Sequence, residues 1–97
     1  MEVKVRFFTS LREIVNKREE TITISSTEKA TIDTVLKTLS QKYGSSFREY
    51  VYEKKTGQPK AFLQFLVNGN STTTLNGLKT ELKEGDVLAI LPPVGGG

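Results

Sequence analysis

Thr31-Ile32-Asp33-Thr34-Val35-Leu36-Lys37-Thr38-Leu39-Ser40-Gln41-Lys42-Tyr43-Gly44 is the stretch that decides the fold. Ile32, Val35, Leu36, Leu39 and Tyr43 recur at i, i+3, i+4, i+7 and i+11, which puts all five on one face of a helix. Thr31 offers an N-cap hydroxyl, and Gly44 is a residue at which a helix can end. The spacing predicts the main helix of the chain, with its apolar stripe turned into a core.

Towards the N-terminus, Val3-Lys4-Val5-Arg6-Phe7 alternates apolar and polar, the pattern of a half-buried strand. Val3, Val5 and Phe7 are expected inside, and Lys4, Arg6 and Phe8 outside. Ser10-Leu11-Arg12-Glu13 fits a capping box, so a short helical turn is expected from Ser10 through Val15. Glu20-Thr21-Ile22-Thr23-Ile24 alternates again and is rich in β-branched residues; it reads as a second strand, paired with the first in a broad hairpin.

Towards the C-terminus, Phe47, Tyr50 and Val51 suggest a further turn of helix. Glu53 to Lys60 is polar and contains Gly57 and Pro59, so it reads as a loop. Phe62 to Val67 is nearly all apolar and reads as a central strand, closed by the turn signal Asn68-Gly69. Ser71 to Thr74 is expected to return briefly as a strand, with Leu75 and Leu78 plugging one end of the core. Lys83-Glu84-Gly85-Asp86 marks another turn before the final strand, Val87 to Leu91, which Pro92-Pro93 ends. The order is β-β-α-β-β. With the first and last strands adjacent and parallel, the helix crosses one face of a mixed sheet. This is the α+β arrangement called β-grasp, expected over residues 1–91, with 92–97 as a flexible tail.

The composition narrows the chemistry. Ninety-seven residues make one domain with a modest core. With no Cys and no His, the chain lacks a thiolate nucleophile and the commonest acid–base and metal-binding side chain. No Gly-x-x-x-x-Gly-Lys-Ser/Thr loop points to nucleotide binding, no metal site is suggested, and no carboxylate, Lys or Tyr pair has a spacing that suggests catalysis. The net charge of +3 is scattered, without the basic stripe and interleaved aromatics of a nucleic-acid surface. No apolar run has the length of a membrane span, and Met1-Glu2-Val3-Lys4-Val5 is unlike a signal peptide, so a cytoplasmic location is expected.

The remaining candidate is Pro92-Pro93-Val94-Gly95-Gly96-Gly97. Glycine has no Cβ, so such a tail is thin enough to thread a narrow channel. Six extended residues reach about 20 Å from the body. The α-carboxylate of Gly97 is ionised at neutral pH and is a poor electrophile. It needs a leaving group, and a partner enzyme must supply it. With no Cys in the chain, sulfur could be held only as a thiocarboxylate on Gly97. A docking face is expected on the side of the sheet away from the main helix, where Phe8, Leu66, Ala89 and Leu91 project. Ordering the tail costs roughly 1–2 kcal/mol per residue. The face would therefore supply the affinity, and the tail would deliver the reactive atom.

These residues resemble the MoaD/ThiS family of ubiquitin-like sulfur carriers, in particular its molybdopterin synthase small-subunit branch. The resemblance rests on Val3-Lys4-Val5-Arg6-Phe7-Phe8, Leu11-Arg12-Glu13-Ile14-Val15, Val67-Asn68-Gly69, Gly85-Asp86-Val87-Leu88-Ala89 and, above all, Leu91-Pro92-Pro93-Val94-Gly95-Gly96-Gly97. It implies a β-grasp fold and a protein that is not catalytic alone. An adenylating enzyme of the ubiquitin-activating type would use ATP on Gly97, and sulfur transfer would follow. The tail, with Gly96 and Gly97 as the functional pair, would then enter the large subunit of molybdopterin synthase and donate sulfur to a cyclic pterin precursor. Phe8, Leu66, Ala89, Leu91, Pro92, Pro93, Val94 and Gly95 would contact partners. No cofactor would be bound directly. Leu91 stands where the family usually has an aromatic residue, and Gly95 where it has a Thr- or Ser-like one. Archaeal ubiquitin-like modifiers and the eukaryotic ubiquitin-related modifier share the same pattern. Conjugation to target-protein lysines and tRNA thiolation therefore stand as alternatives.

Overall fold

A computed structural model describes residues 1–25, 29–71 and 77–91. Strand β1 (Glu2–Phe7) is followed by helix α1 (Thr9–Val15), strand β2 (Glu19–Thr23), helices α2 (Ile32–Tyr43) and α3 (Ser45–Val51), strands β3 (Gln64–Val67) and β4 (Asn70–Ser71), a 3-10 turn (Gly77–Lys79) and strand β5 (Val87–Leu91). The five strands form one sheet in the order β2-β1-β5-β3-β4. β1 and β5 run parallel at its middle, with Val5 beside Leu88 and Phe7 beside Ile90. The flanking pairs are antiparallel, with Val3 opposite Ile22 and Phe65 opposite Ile90. This is the β-grasp fold.

Alternation places Val3, Val5 and Phe7 of β1, Leu88 and Ile90 of β5, and Ile22 and Ile24 on one sheet face, and all are buried. Ile32, Val35, Leu36 and Leu39 of α2 meet them and are fully buried. Each such side chain contributes about 1.5–3 kcal/mol by leaving water. The Thr31 hydroxyl accepts the Thr34 N–H at 3.2 Å, so the expected N-cap is formed.

Gly44 separates α2 from α3. Its φ of 78° and ψ of −150° lie in a region essentially closed to side chains. Its N–H donates to the Ser40 carbonyl, and its own carbonyl accepts the Arg48 N–H. One residue thus ends one helix and starts the next, and α3 runs for seven residues. It buries Phe47 and Val51 completely.

Four boundaries differ from the sequence reading. The capping box does not form. α1 begins at Thr9 with Phe8 as its N-cap and no side-chain cap, and Ser10 and Glu13 are exposed. The Phe8 carbonyl accepts the Leu11 N–H at 3.2 Å, an early start that lets Leu11 reach the core. β3 begins at Gln64 rather than Phe62, because the chain turns first, with the Leu63 N–H bonded to the Lys60 carbonyl. Phe62 is left 45% exposed, with the Lys60 ammonium 5.8 Å from its ring centroid. The second strand spans Glu19–Thr23, although the Ile24 N–H still bonds the Met1 carbonyl. The brief strand expected from Ser71 is Asn70–Ser71, and residues 72–74 and Leu75 lie outside the described residues. Leu78 packs against the core as expected.

The same face of β2 also buries Glu20, whose side chain is 5% exposed. The carboxylate accepts hydrogen bonds from Lys42, from the Tyr43 hydroxyl and from Lys17, the last at 3.1 Å. Burial alone would raise its pKa, but the Lys42, Tyr43 and Lys17 bonds outweigh this and hold it below the ordinary carboxylate value. Burial and the neighbouring carboxylate push the Tyr43 hydroxyl far up, so it stays a donor. The folded protein therefore takes up this proton less readily than the unfolded chain. Its stabilisation is present above the unfolded carboxyl pKa, about 4.3, and is lost as the pH falls through the lower folded value. Glu20→Ala should cost about 2–3 kcal/mol at pH 7, below the full figure for a broken buried pair because both lysines are half-exposed and can rehydrate. Urea melts of both proteins at pH 7 and pH 3 check this: the difference should shrink markedly in acid.

Candidate functional site

On the sheet face away from α2, the register lines up Arg6, Ala89 and Leu66 across three adjacent strands. Leu91 lies opposite Gln64, and Val87 beside Lys4. Leu66, Ala89 and Leu91 are all half-buried, so this face is neither sealed by a second layer nor fully open. The structure therefore brings three of the four expected face residues together on β3 and β5.

Phe8 differs in detail. It follows β1 rather than belonging to it, and it caps α1 with extended backbone. It is half-buried, in a depression of about 270 Å³ that it shares with Arg6, Arg12, Arg18 and Glu19. The Nε of Arg12 is buried and has no hydrogen-bond partner among the described residues. The only acid of this rim, Glu19, is 3.8 Å from Lys4 and 4.0 Å from Arg6. All three side chains are well exposed, so these pairs contribute little to stability.

The arginines were not found by reading the sequence. Arg6 comes from β1, Arg12 from α1 and Arg18 from the link to β2, and no linear run announces them. Together they make the edge of the apolar face basic.

Two short sequence signals meet at the far end of β5. Asn68 and Gly69 both have positive φ, 51° and 84°, in the two-residue turn between β3 and β4. The Asn68 side-chain oxygen accepts the Val87 N–H at 2.9 Å, and its amide donates to Asp86 at 3.0 Å. Asp86 in turn accepts the Lys83 N–H at 2.8 Å. This clip fixes where β5 starts, and hence which of its residues face outward and where it ends at Leu91.

Pro92, Pro93, Val94, Gly95, Gly96 and Gly97 lie outside the described residues. Among the described residues no three His, Cys, Asp or Glu side chains come together, and no helix is long and apolar enough to cross a membrane. The described part of this face has an apolar centre, Leu66, Ala89 and Leu91, and a basic margin of Arg6, Arg12 and Arg18.

The ThiS family profile matches residues 5–97. The chain belongs to the ThiS family. This ThiS-family chain is 32% identical to small archaeal modifier protein 3 of Haloferax volcanii, over 97 residues that cover all of both chains. It is 34% identical to small archaeal modifier protein 1 of Methanosarcina acetivorans; that solution structure covers 99% of this chain and 96% of its own, with a TM-score of 0.85. A Pyrococcus furiosus structure whose name proposes a molybdopterin converting factor, subunit 1, is 28% identical, covers 97% of this chain and 99% of its own, and has a TM-score of 0.74. As a member of the ThiS family, this chain is a ubiquitin-like protein of the sulfur-carrier and modifier class.

Proposed function

We propose that the protein is a carrier whose reactive group is the α-carboxylate of Gly97. A partner enzyme joins it to the adenylyl group of ATP with release of pyrophosphate. Hydrosulfide then displaces AMP and leaves a thiocarboxylate. The carrier serves as the small subunit of a molybdopterin synthase-type enzyme and gives its sulfur to a cyclic pterin precursor. One observation carries this reading: β5 supplies Ala89 and Leu91 to the outer sheet face and ends six residues before Gly97. A partner that grips this face therefore holds the base of the tail, and about 20 Å of extended chain is available to reach an active site.

Docking uses Leu66, Ala89, Leu91 and Phe8 for apolar contact and the Arg6, Arg12 and Arg18 margin for orientation, so the partner surfaces are apolar with acidic edges. Phe8→Glu is expected to weaken binding to either partner about tenfold or more, while changing stability by under about 1 kcal/mol. Titration calorimetry and thermal melts separate the two effects. A large fall in melting temperature would remove Phe8 from the docking face.

The pterin role is supported by the Pyrococcus relative's name and by the Pro-Pro-Val segment ahead of the glycines. Reconstitution with a large synthase subunit, an activating enzyme, ATP, a sulfur donor and the cyclic pterin should yield the dithiolene product. No product from a thiocarboxylated carrier would exclude the pterin as acceptor.

A second reading is favoured by the end-to-end match to small archaeal modifier protein 3. In it, a lysine amine attacks the activated Gly97 and forms an isopeptide bond. Trypsin digests of source cells would then show lysines bearing the segment Glu84–Gly97, since Lys83 is the last basic residue. Digests free of that adduct, from cells in which the carrier is abundant, would count against conjugation.

A further inference from the structure

The helical side of the molecule carries a groove of about 650 Å³ that the carrier function does not use. One wall is a stripe of α2 bearing Asp33 and Lys37, one turn apart. A second wall comes from α3 with Arg48, and a third from the 3-10 turn with Lys79. Tyr52, Pro59 and Leu78 supply its apolar surface. A further depression of about 610 Å³ shares Pro59 and Leu78 and extends towards Lys60.

The charge of this groove is lopsided: three cations face one carboxylate. Lys37 and Lys79 form no ion pair with a described residue. Arg48 is held by a 3.1 Å bond from its Nη1 to the Ser40 carbonyl and meets no described carboxylate. The Tyr52 hydroxyl is pushed up by burial, against the pull of its Ser40 bond, so it remains a neutral donor. The cations stand on three separate elements around an opening much larger than one phosphate group. A chain passing along the groove meets all of them, whereas a compact anion meets few. The apolar surface between them suits side chains that alternate with acids.

We propose that this groove binds an extended acidic segment of a partner protein, with apolar side chains over Tyr52, Pro59 and Leu78 and carboxylates against Lys37, Arg48 and Lys79. The groove lies on the opposite side of the sheet from Leu66 and Ala89, so both surfaces can be occupied at once. The inference does not depend on the chemistry of Gly97.

The test is NMR titration of the 15N-labelled full-length protein with acetyl-Glu-Leu-Glu-Phe-Glu-amide, alongside the same peptide with Gln for every Glu. Saturable amide shifts are expected at Lys37, Ser40, Tyr52 and Lys79, with Leu66 and Ala89 unmoved. The Gln peptide, and a Lys37→Glu, Lys79→Glu protein, should each bind about tenfold more weakly. Lys37→Gln alone should give a smaller loss and serves if the double variant does not fold. Absence of saturable shifts, shifts on the sheet face, or equal binding of the Gln peptide would overturn the proposal. So would inorganic phosphate moving the same amides and displacing the peptide, which would make this a compact-anion site. Tighter binding of a single-stranded oligonucleotide at the same residues would replace the protein partner with a nucleic acid.

Discussion

Deleting Gly96 and Gly97 is expected to abolish adenylation, sulfur loading and delivery completely, while moving the melting temperature by less than about 3 °C. The two halves of this expectation have separate causes. Among the described residues every buried apolar residue of the core lies between Val3 and Ile90, and glycine has no side chain to contribute, so the deletion is expected to leave the core intact. The proposed reacting carboxylate, by contrast, is that of Gly97, and a new terminus at Gly95 would stop about 7 Å short at extended spacing. A misplacement of even 1 Å can cost two orders of magnitude in an oriented reaction. Gly97→Ala keeps the reach and adds one methyl group, so it should impair activation without abolishing it. Pyrophosphate release with the activating enzyme, read beside calorimetric melts of the same samples, checks both halves.

Phe47→Ala is expected to have the largest effect on stability. Phe47 is completely buried, with its ring 6.4 Å from that of Tyr43, and it joins α3 to the core. Truncating a buried phenylalanine costs about 3–5 kcal/mol from lost burial and the cavity left behind. Domains of this size are stable by about 5–15 kcal/mol, so the change removes much of the total. The melting temperature should fall by on the order of 20 °C. Phe62→Ala is the matched control: that ring is 45% exposed, and its loss should be within about 1 kcal/mol. Urea denaturation of the two variants gives the comparison directly. Near-equal losses would mean that α3 does not pack as described.

Those two phenylalanines also show what the sequence could and could not reveal. Periodicity located α2 to the residue and alternation located β1, because in each case one face must leave water, whereas β5 was located by the turn before it and the prolines after it. Phe62 belongs to an apolar run interrupted only by Gln64 and without a clear period, so nothing local separates it from Leu63 and Phe65. The turn that precedes β3 leaves Phe62 outside the ladder. α3 was legible only as a turn, since it has two fully buried residues and owes its start to Gly44. Glu20 falls on the inward parity of β2, but its partners Lys42 and Tyr43 lie 22 and 23 residues away, beyond the reach of any local pattern.

The candidate site divides in the same way. Leu66, Ala89 and Leu91 follow from parity once the strands are known, and the register puts them side by side. The basic margin of Arg6, Arg12 and Arg18 appears only when β1, α1 and the link to β2 are folded together. The groove beside α2 is likewise a product of packing, since its walls come from segments that are far apart in the chain. The Gly-Gly end lies outside the described residues, and its proposed meaning is covalent: a terminal carboxylate on residues without side chains.

The central claim is that Gly97 itself is the reacting group. Its most direct measurement is mass spectrometry of the peptide Glu84–Gly97, released by trypsin after incubation of the protein with an activating enzyme, ATP and a sulfur donor. The account predicts replacement of one oxygen by one sulfur, localised to the carboxyl group of Gly97 and dependent on ATP. An unmodified Glu84–Gly97 peptide from a reaction in which a known carrier is loaded, or sulfur found on any other residue, would contradict it.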